Sequence, residues 1–406
     1  MQRGGGTLDR LQTSLRSLSV ARRALLLLPL TLAAAGWACQ WVVPLGADVS
    51  PAPADGGADA LPLRPGPCDL ALPPLVPSGA GVERGTLFAA RALDFGPRLP
   101  VNGVGTLRFD AGGLLCPNAA LDLDGIETTC PATAGLAKCV TKRGACDEDG
   151  GRDNAFANVL ALLQGVKPGS LSLSAAMETG GPTLLIHVVG YNGEPNDDAV
   201  GVFFYAATGT LEGPDGGPSL PRWDGTDTWK VEPRSVIASS AGDVPLRSAS
   251  EAWVANGVLV AKLDRVDLPI LVDKQRAFLP LRGGFVTANV TQVDGRLRLD
   301  HGRLATAVAA DSLLANLAAD GGVCERTGAF ETLRGILCSE ADLTTTFPTE
   351  GPAAAPCGAL SLAIGFVADA ISSSVTDRAD VPYGVPYATP CGEADGGPLF
   401  VGCGAP

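Results

Sequence analysis

From residue 81 onward, apolar side chains recur at every second position or in short continuous runs, separated by clusters of Gly, Pro, Asn and Asp. Segments 85–93, 183–191, 200–208, 252–263, 278–293 and 359–367 are the clearest cases, and this alternation is the signature of strands with one or both faces buried. Val293-Asp-Gly-Arg296 predicts a tight hairpin between segments 284–293 and 296–300, because Asp-Gly suits the positive-φ positions of a type I′ turn. Three segments follow a helical period instead. Phe156, Val159, Leu160 and Leu163 share one helical face after Asp153, which is placed to cap the helix. Asp311 stands in the same way before Leu313, Leu314 and Leu317, and Phe330, Leu333 and Leu337 align in a third helix from about Gly328. Many strands, few helices and frequent turns predict a mainly β chain, an antiparallel β-sandwich or jelly roll with a few peripheral helices. With no long linker after residue 81, residues 67–406 read as one folded region or as two packed halves dividing near residue 236.

Residues 1–38 follow a different pattern. Arg22 and Arg23 precede an apolar run of about fifteen residues that ends in small side chains at Gly36 and Ala38. A positive flank, a short apolar core and a small-residue exit describe a cleaved signal peptide, and the run is too short to favour a spanning helix. The paired arginines also suit twin-arginine export. Cys39 follows directly, where bacterial lipoproteins carry the cysteine that is acylated and becomes the new N-terminus. Gly36 and Trp37 depart from the residues usual there, and Gly36 with Ala38 equally suits ordinary signal-peptidase cleavage. Eleven cysteines are an odd number, and setting Cys39 aside as a lipidation site leaves ten, suited to five disulfides. Residues 39–66 are rich in Pro, Gly, Ala and Asp and hold too little apolar surface to offset their ordering entropy. They read as a flexible tether, which as a coil of this length reaches roughly 30 Å.

Composition narrows the classes of partner. Gly 52 and Pro 32 with only 5% aromatic residues fit many short strands and turns, and 46% hydrophobic residues suffice for a large core. Removing residues 1–38, which hold five arginines against Asp9 alone, takes the formal charge from −13 to −17. A surface so acidic disfavours nucleic acid and makes cations the natural small partners, while also keeping the chain soluble. The cysteines are widely spaced with no CxxC pair, which argues against zinc ribbons and thioredoxin-type chemistry and for disulfides formed in an oxidising compartment. Cys324 and Cys338, flanking the third helix, are expected to pair and staple a helical hairpin.

Two acidic segments are candidates for metal binding. Asp122-Leu-Asp124-Gly-Ile-Glu127 precedes Cys130, and Asp147-Glu-Asp149-Gly-Gly-Arg-Asp153-Asn154 follows Cys146. Alternating carboxylates before a glycine let a tight loop aim several hard oxygens inward, as Ca²⁺ requires. Over about a dozen residues these segments resemble the Asp-x-Asp-Gly loops of thrombospondin type 3 and related bacterial repeats. Neither fits an EF-hand, since Ala120 and Ala145 occupy the first ligand position. One site built from both loops, closed by disulfides among Cys130, Cys139 and Cys146, would offer Asp122, Asp124, Asp147, Asp149 and Asp153 to Ca²⁺. The alternative is a pair of solvated Asp-Gly turns, with Asp153 as a helix cap.

Other polar clusters are less specific. Residues 191–198, ending in Asp197 and Asp198, form either a ligand-binding loop or a long hairpin turn. Trp223 and Trp229 bracket carboxylates, a combination that sugar-binding surfaces use and that core anchors around a turn also produce. His187 lies within a strand and His301 follows Asp300, but no GxSxG, HExxH, P-loop or GxGxxG motif marks a catalytic centre. Carboxylate pairs for glycoside hydrolysis depend on the fold and are not legible here.

Taken together, the lipoprotein-like start, Asp122-Leu-Asp-Gly125 with Cys130, the stretch from Cys146 to Gly151-Arg-Asp-Asn-Ala155, Gly190-Tyr-Asn-Gly193, Asp197-Asp198, Trp223-Asp-Gly225 and Cys357-Gly-Ala-Leu-Ser361 resemble uncharacterised predicted lipoproteins of myxobacteria-like soil bacteria. That resemblance implies no activity. The expectation is an exported cell-envelope lipoprotein with a binding or structural role, held by an N-terminal lipid on the outer membrane or cell surface, or else secreted, and stabilised by disulfides and Ca²⁺. A carbohydrate-binding module that engages a glycan or envelope polymer and a secreted hydrolase using carboxylates are the alternatives.

Overall fold

The computed structural model describes residues 65–78, 82–95, 114–125, 139, 147, 150–166, 173–211, 219–237, 244–272, 275–319, 328–348, 357–372 and 403. The signal segment, Cys39, the tether to residue 64, Cys130, Cys146, Asp149 and Cys324 lie outside these residues. The strands are β1 (Val82–Asp94), β2 (Thr183–Gly190), β3 (Gly201–Thr210), β4 (Trp229–Val231), β5 (Val236–Ile237), β6 (Val244–Pro245), β7 (Arg247–Ala255), β8 (Val258–Leu263), β9 (Arg265–Val272), β10 (Gln275–Val293), β11 (Arg296–Ala309), β12 (Leu343–Thr344) and β13 (Cys357–Ala370). The helices are α1 (Ala155–Val166), α2 (Leu173–Glu178), α3 (Ala310–Ala319) and α4 (Gly328–Glu340).

The chain is mostly antiparallel β, as the alternation predicts. In place of the two facing sheets of a sandwich, eight strands form one closed ring of ladders in the order β1, β2, β3, β7, β8, β10, β11, β13 and back to β1. Strands on either side of residue 236 belong to this one ring, since β3 pairs with β7. Alternate side chains fill its interior: Leu184, Ile186 and Val188 of β2, Leu259, Ala261 and Leu263 of β8, and Leu360, Leu362, Ile364 and Phe366 of β13 belong to one buried cluster. The opposite faces of β1, β2 and β3 carry Leu87, Ala89, Leu185, Tyr205 and Ala207, packed under Trp229 and Val231 of β4. Phe156 and Val159 of α1, Leu313 and Leu314 of α3, and Phe330 and Leu337 of α4 join the interior cluster, so these helices pack against it.

Two Asx-Gly turns set the hairpins. Asp294 (φ 50°) and Gly295 (φ 77°) join β10 to β11 as expected, and Asn256 (φ 54°) with Gly257 (φ 80°) joins β7 to β8. Segment 252–263 is thus a hairpin, although its unbroken apolar content reads as one strand. The long strand β10 changes partner midway: residues 275–282 pair with β9 and residues 285–289 with β8. Gly283 and Gly284, both at positive φ, make the bend, and a Cβ on Gly284 would lie 2.0 Å from the Ala305 carbonyl oxygen. Only glycine fits there.

Residues 67–78 strap the outside of the ring. The Pro67 carbonyl accepts from Thr287 Oγ1 (2.9 Å), the Asp69 carbonyl from Arg303 Nη1 (2.8 Å) and the Pro73 carbonyl from Trp253 Nε1 (3.0 Å). Arg303 is fully buried beneath this strap with its Nη2 lacking a hydrogen-bond partner, and burial holds its pKa below the ordinary guanidinium value. Cys68–Cys116, Cys139–Cys357 and Cys338–Cys403 form disulfides. The expected Cys324–Cys338 staple is therefore corrected, because α4 packs its Cys338 into the interior cluster where Cys403 meets it. Cys139, expected to pair within its own acidic region, is bonded to the start of β13 instead.

Candidate metal centre

The ladder that closes the ring spans Phe88–Asp94 against Gly365–Ala370, and among the described residues the first half of β13 has no strand-length neighbour on that side. Side chains complete the backbone pairing there. Asn154 Oδ1 accepts from Ala363 N (3.1 Å), while its Nδ2 donates to the Phe95 carbonyl (3.1 Å), which ties the end of β1 to the edge of β13. Asp342, just before β12, accepts from Ser361 N through Oδ1 (2.8 Å) and from the Ser361 hydroxyl through Oδ2. The same hydroxyl accepts from Ala155 N (2.8 Å), satisfying one of the open N–H groups at the start of α1.

Asp153 stands immediately before this junction and is 3% exposed. It does not cap α1, which begins at Ala155. Its backbone N–H donates to the Leu121 carbonyl (2.9 Å) and its Oδ2 accepts from Leu123 N (2.6 Å), which folds residues 121–125 over it. Asp122 Oδ1 accepts from Gly125 N (2.6 Å), and Gly125 at φ 74° turns the loop back. As a result, ligand oxygens of Asp122, Asp124 and Asp153 all lie within 4.8 Å of one another. One Ca²⁺ with Ca–O distances of about 2.3–2.6 Å spans about 5 Å between opposite ligands, so a single ion fits this spread.

The electrostatics of the cluster are lopsided. Burial pushes the Asp153 pKa far above the carboxylate range, and the charges of Asp342, Asp124 and Asp147 push it further against the opposing Leu123 hydrogen bond. Burial also raises Asp342, which Asp147 reinforces while the Ser361 bonds oppose it. The nearby Arg152 directs Nη1 to the Ala120 carbonyl (2.8 Å). Protons, or a divalent cation, are what such a cluster needs.

Of the five expected ligands, then, the structure brings Asp122, Asp124 and Asp153 together and places the charge of Asp147 within reach. Asp149 lies outside the described residues. Asp342 was not expected, since it sits far along the chain in Glu340-Ala-Asp342 with no acidic motif around it.

The remaining candidates serve the fold. Asp197, fully buried, exchanges backbone hydrogen bonds with Val254 (2.8 and 2.7 Å) and accepts from Asn192 N (2.7 Å) and Ala199 N (3.0 Å), closing the β2–β3 connection. Asp198 is exposed and accepts from Ser78 Oγ (2.9 Å), which lowers its pKa. Trp229 is 2% exposed and packs against Trp223 with ring centroids 5.8 Å apart, while Arg91 lies 5.8 Å over the Trp223 ring. Trp229 is thus enclosed, whereas Trp223 is half-covered. His187 is half-buried between Phe203 and Tyr205, and burial lowers its pKa. His301 (φ 48°) pairs Nδ1 with Asp300 Oδ1 (2.8 Å), and Asp300 also accepts from Asn289 (3.2 Å) and Thr291 (2.7 Å). Among the described residues no hydroxyl or thiol is hydrogen-bonded to the His301 ring.

Fold and site together define a disulfide-bonded, mainly antiparallel β protein with an acidic cluster at the junction where its ring of strands closes. Compared with protein-family models, curated proteins and solved structures, the chain matches none of them.

Proposed function

We propose that this chain is an exported cell-envelope lipoprotein, anchored through an acylated Cys39, whose barrel is locked by Ca²⁺ between Asp122, Asp124, Asp147, Asp153 and Asp342, and whose role is structural or binding rather than catalytic. The carrying observation is the nearly enclosed Asp153 carboxyl with two further carboxylates in ligand range. An ion there ties the 121–125 loop, the entry to α1 and the β12–β13 edge into one unit. Three described disulfides accord with an oxidising location, and the signal-like segment with Cys39 supports export and a lipid anchor.

Calorimetric titration of the chelator-stripped, full-length protein with Ca²⁺ tests the metal. Saturable heat with a stoichiometry near one is expected, and its absence at millimolar Ca²⁺ would remove the proposal. Intact-mass analysis with and without globomycin tests the anchor; an N-terminal peptide carrying unmodified Cys39 would refute it.

A further inference from the structure

The wall of the barrel is weakest between β3 and β7, which share only the pairs Phe203–Ser248 and Phe204–Arg247. Beyond Phe204, β3 continues toward β4, while the chain on the other side bends from β8 into β9. A cavity of about 230 Å³ remains between β3, the Pro233–Ser235 turn, β9 and α3.

Its lining is unlike the rest of this acidic chain, with Arg234, Arg247 and Arg265 facing Glu232 and Asp267 around the Phe278 ring. Arg234 Nε pairs with the buried Glu232 at 2.9 Å, and its guanidinium carbon lies 4.8 Å from the Phe278 centroid. Asp267 serves two guanidiniums at once, Arg247 on Oδ2 at 3.0 Å and Arg265 on Oδ1 at 3.2 Å. Among the described lining residues, three guanidiniums face two carboxylates. Arg282 also stands directly across the β9–β10 ladder from Arg265, an opposition of like charges that destabilises a sheet. Burial and the charge of Arg265 lower the Arg282 pKa, against the opposing charge of Asp311. In a protein of net charge −13, three arginines lining one cavity form a local basic surface that favours an anion.

We propose that this cavity binds a small organic carboxylate, its charged head received by the outward N–H groups of Arg234, Arg247 and Arg265 and its apolar body seated against Phe278. Guanidinium forks match the planar carboxylate. The aromatic ring gives the body a surface that an inorganic anion cannot use.

Benzoate is a suitable probe for the full-length chain, with benzyl alcohol as the uncharged body and inorganic phosphate as the bodiless anion, each followed by ligand-observed NMR titration. Saturable benzoate binding is expected, with both controls weaker and with at least a tenfold loss of affinity in Arg234→Gln and in Arg247→Gln, roughly what one charge-assisted bond supplies. Arg234 is half exposed, so its variant remains informative should Arg247→Gln unfold. Thermal melting of each variant separates lost binding from lost fold. The proposal is overturned if benzoate fails to saturate by about 10 mM, a ceiling beyond ordinary specific affinities. It is likewise overturned if benzyl alcohol or phosphate binds as well as benzoate, or if a folded Arg234→Gln binds benzoate like the parent.

Discussion

A carboxyl group that is 3% exposed and ringed by other carboxyls ionises only when something offsets its charge. Asp153 and Asp342 both have folded-state pKa values raised above the carboxylate value of the unfolded chain. Above about pH 4 the folded metal-free protein therefore holds protons that the unfolded chain has released, so this contribution is complete below that pH and is lost as pH rises into the neutral range. In chelator, the urea midpoint is expected to fall between about pH 5 and about pH 8, and Ca²⁺ is expected to abolish the fall by replacing the protons. A flat midpoint without metal would show that these carboxyls are not held protonated. Asp153→Asn keeps an acceptor for Leu123 N but removes the charge. At about pH 8 without metal its melting temperature should equal or exceed that of the parent, while the rise on adding Ca²⁺ should disappear. Asp122, Asp124 and Asp153 were legible in the sequence because each stands in one of two short acidic runs beside a glycine. The cap assigned to Asp153 was not, because Leu123 N, thirty residues away, takes that oxygen.

Among the elements, β10 depends most on single residues. At Gly284, φ is +89° and an added Cβ would strike the Ala305 carbonyl. Gly284→Ala is accordingly expected to cost about 2 kcal/mol or more, measurable as a lower urea midpoint with the transition slope unchanged. Gly295→Ala at the exposed hairpin tip meets nothing within 4 Å and should cost less, about 1 kcal/mol, from its positive φ alone. Strand positions were well signalled: segments 183–191, 200–208 and 359–367 correspond to β2, β3 and β13 within a few residues. Segment 252–263 misled because its apolar positions continue across the turn, though Asn256-Gly257 was the available cue. Apart from the Asp294-Gly295 hairpin, pairings were not signalled, since alternation gives each strand a face but not a neighbour.

At the scale of the molecule, three disulfides among the described residues tie distant parts of the chain. Cys139 and Cys357 are separated by 218 residues, and Cys338 and Cys403 by 65. Non-reducing peptide mapping should recover both crosslinks, and a Cys324–Cys338 peptide would contradict the packing of α4. Replacing Cys139 and Cys357 together by Ser is expected to cost about 3–5 kcal/mol, read as a lowered denaturation midpoint. Ring closure itself was not legible. It rests on β1 meeting β13 from opposite ends of the folded region, a contact that no local pattern encodes.

That meeting has a temporal consequence. Ribosomes deliver β1 first and β13 last, so the earliest strand must wait beside an empty berth while most of the polypeptide is still being made. Until its final partner arrives, the nascent sheet has two raw edges ready to zip onto any stranger. Chains halted before residue 357 should accordingly sediment as aggregates rather than persist as half-built barrels.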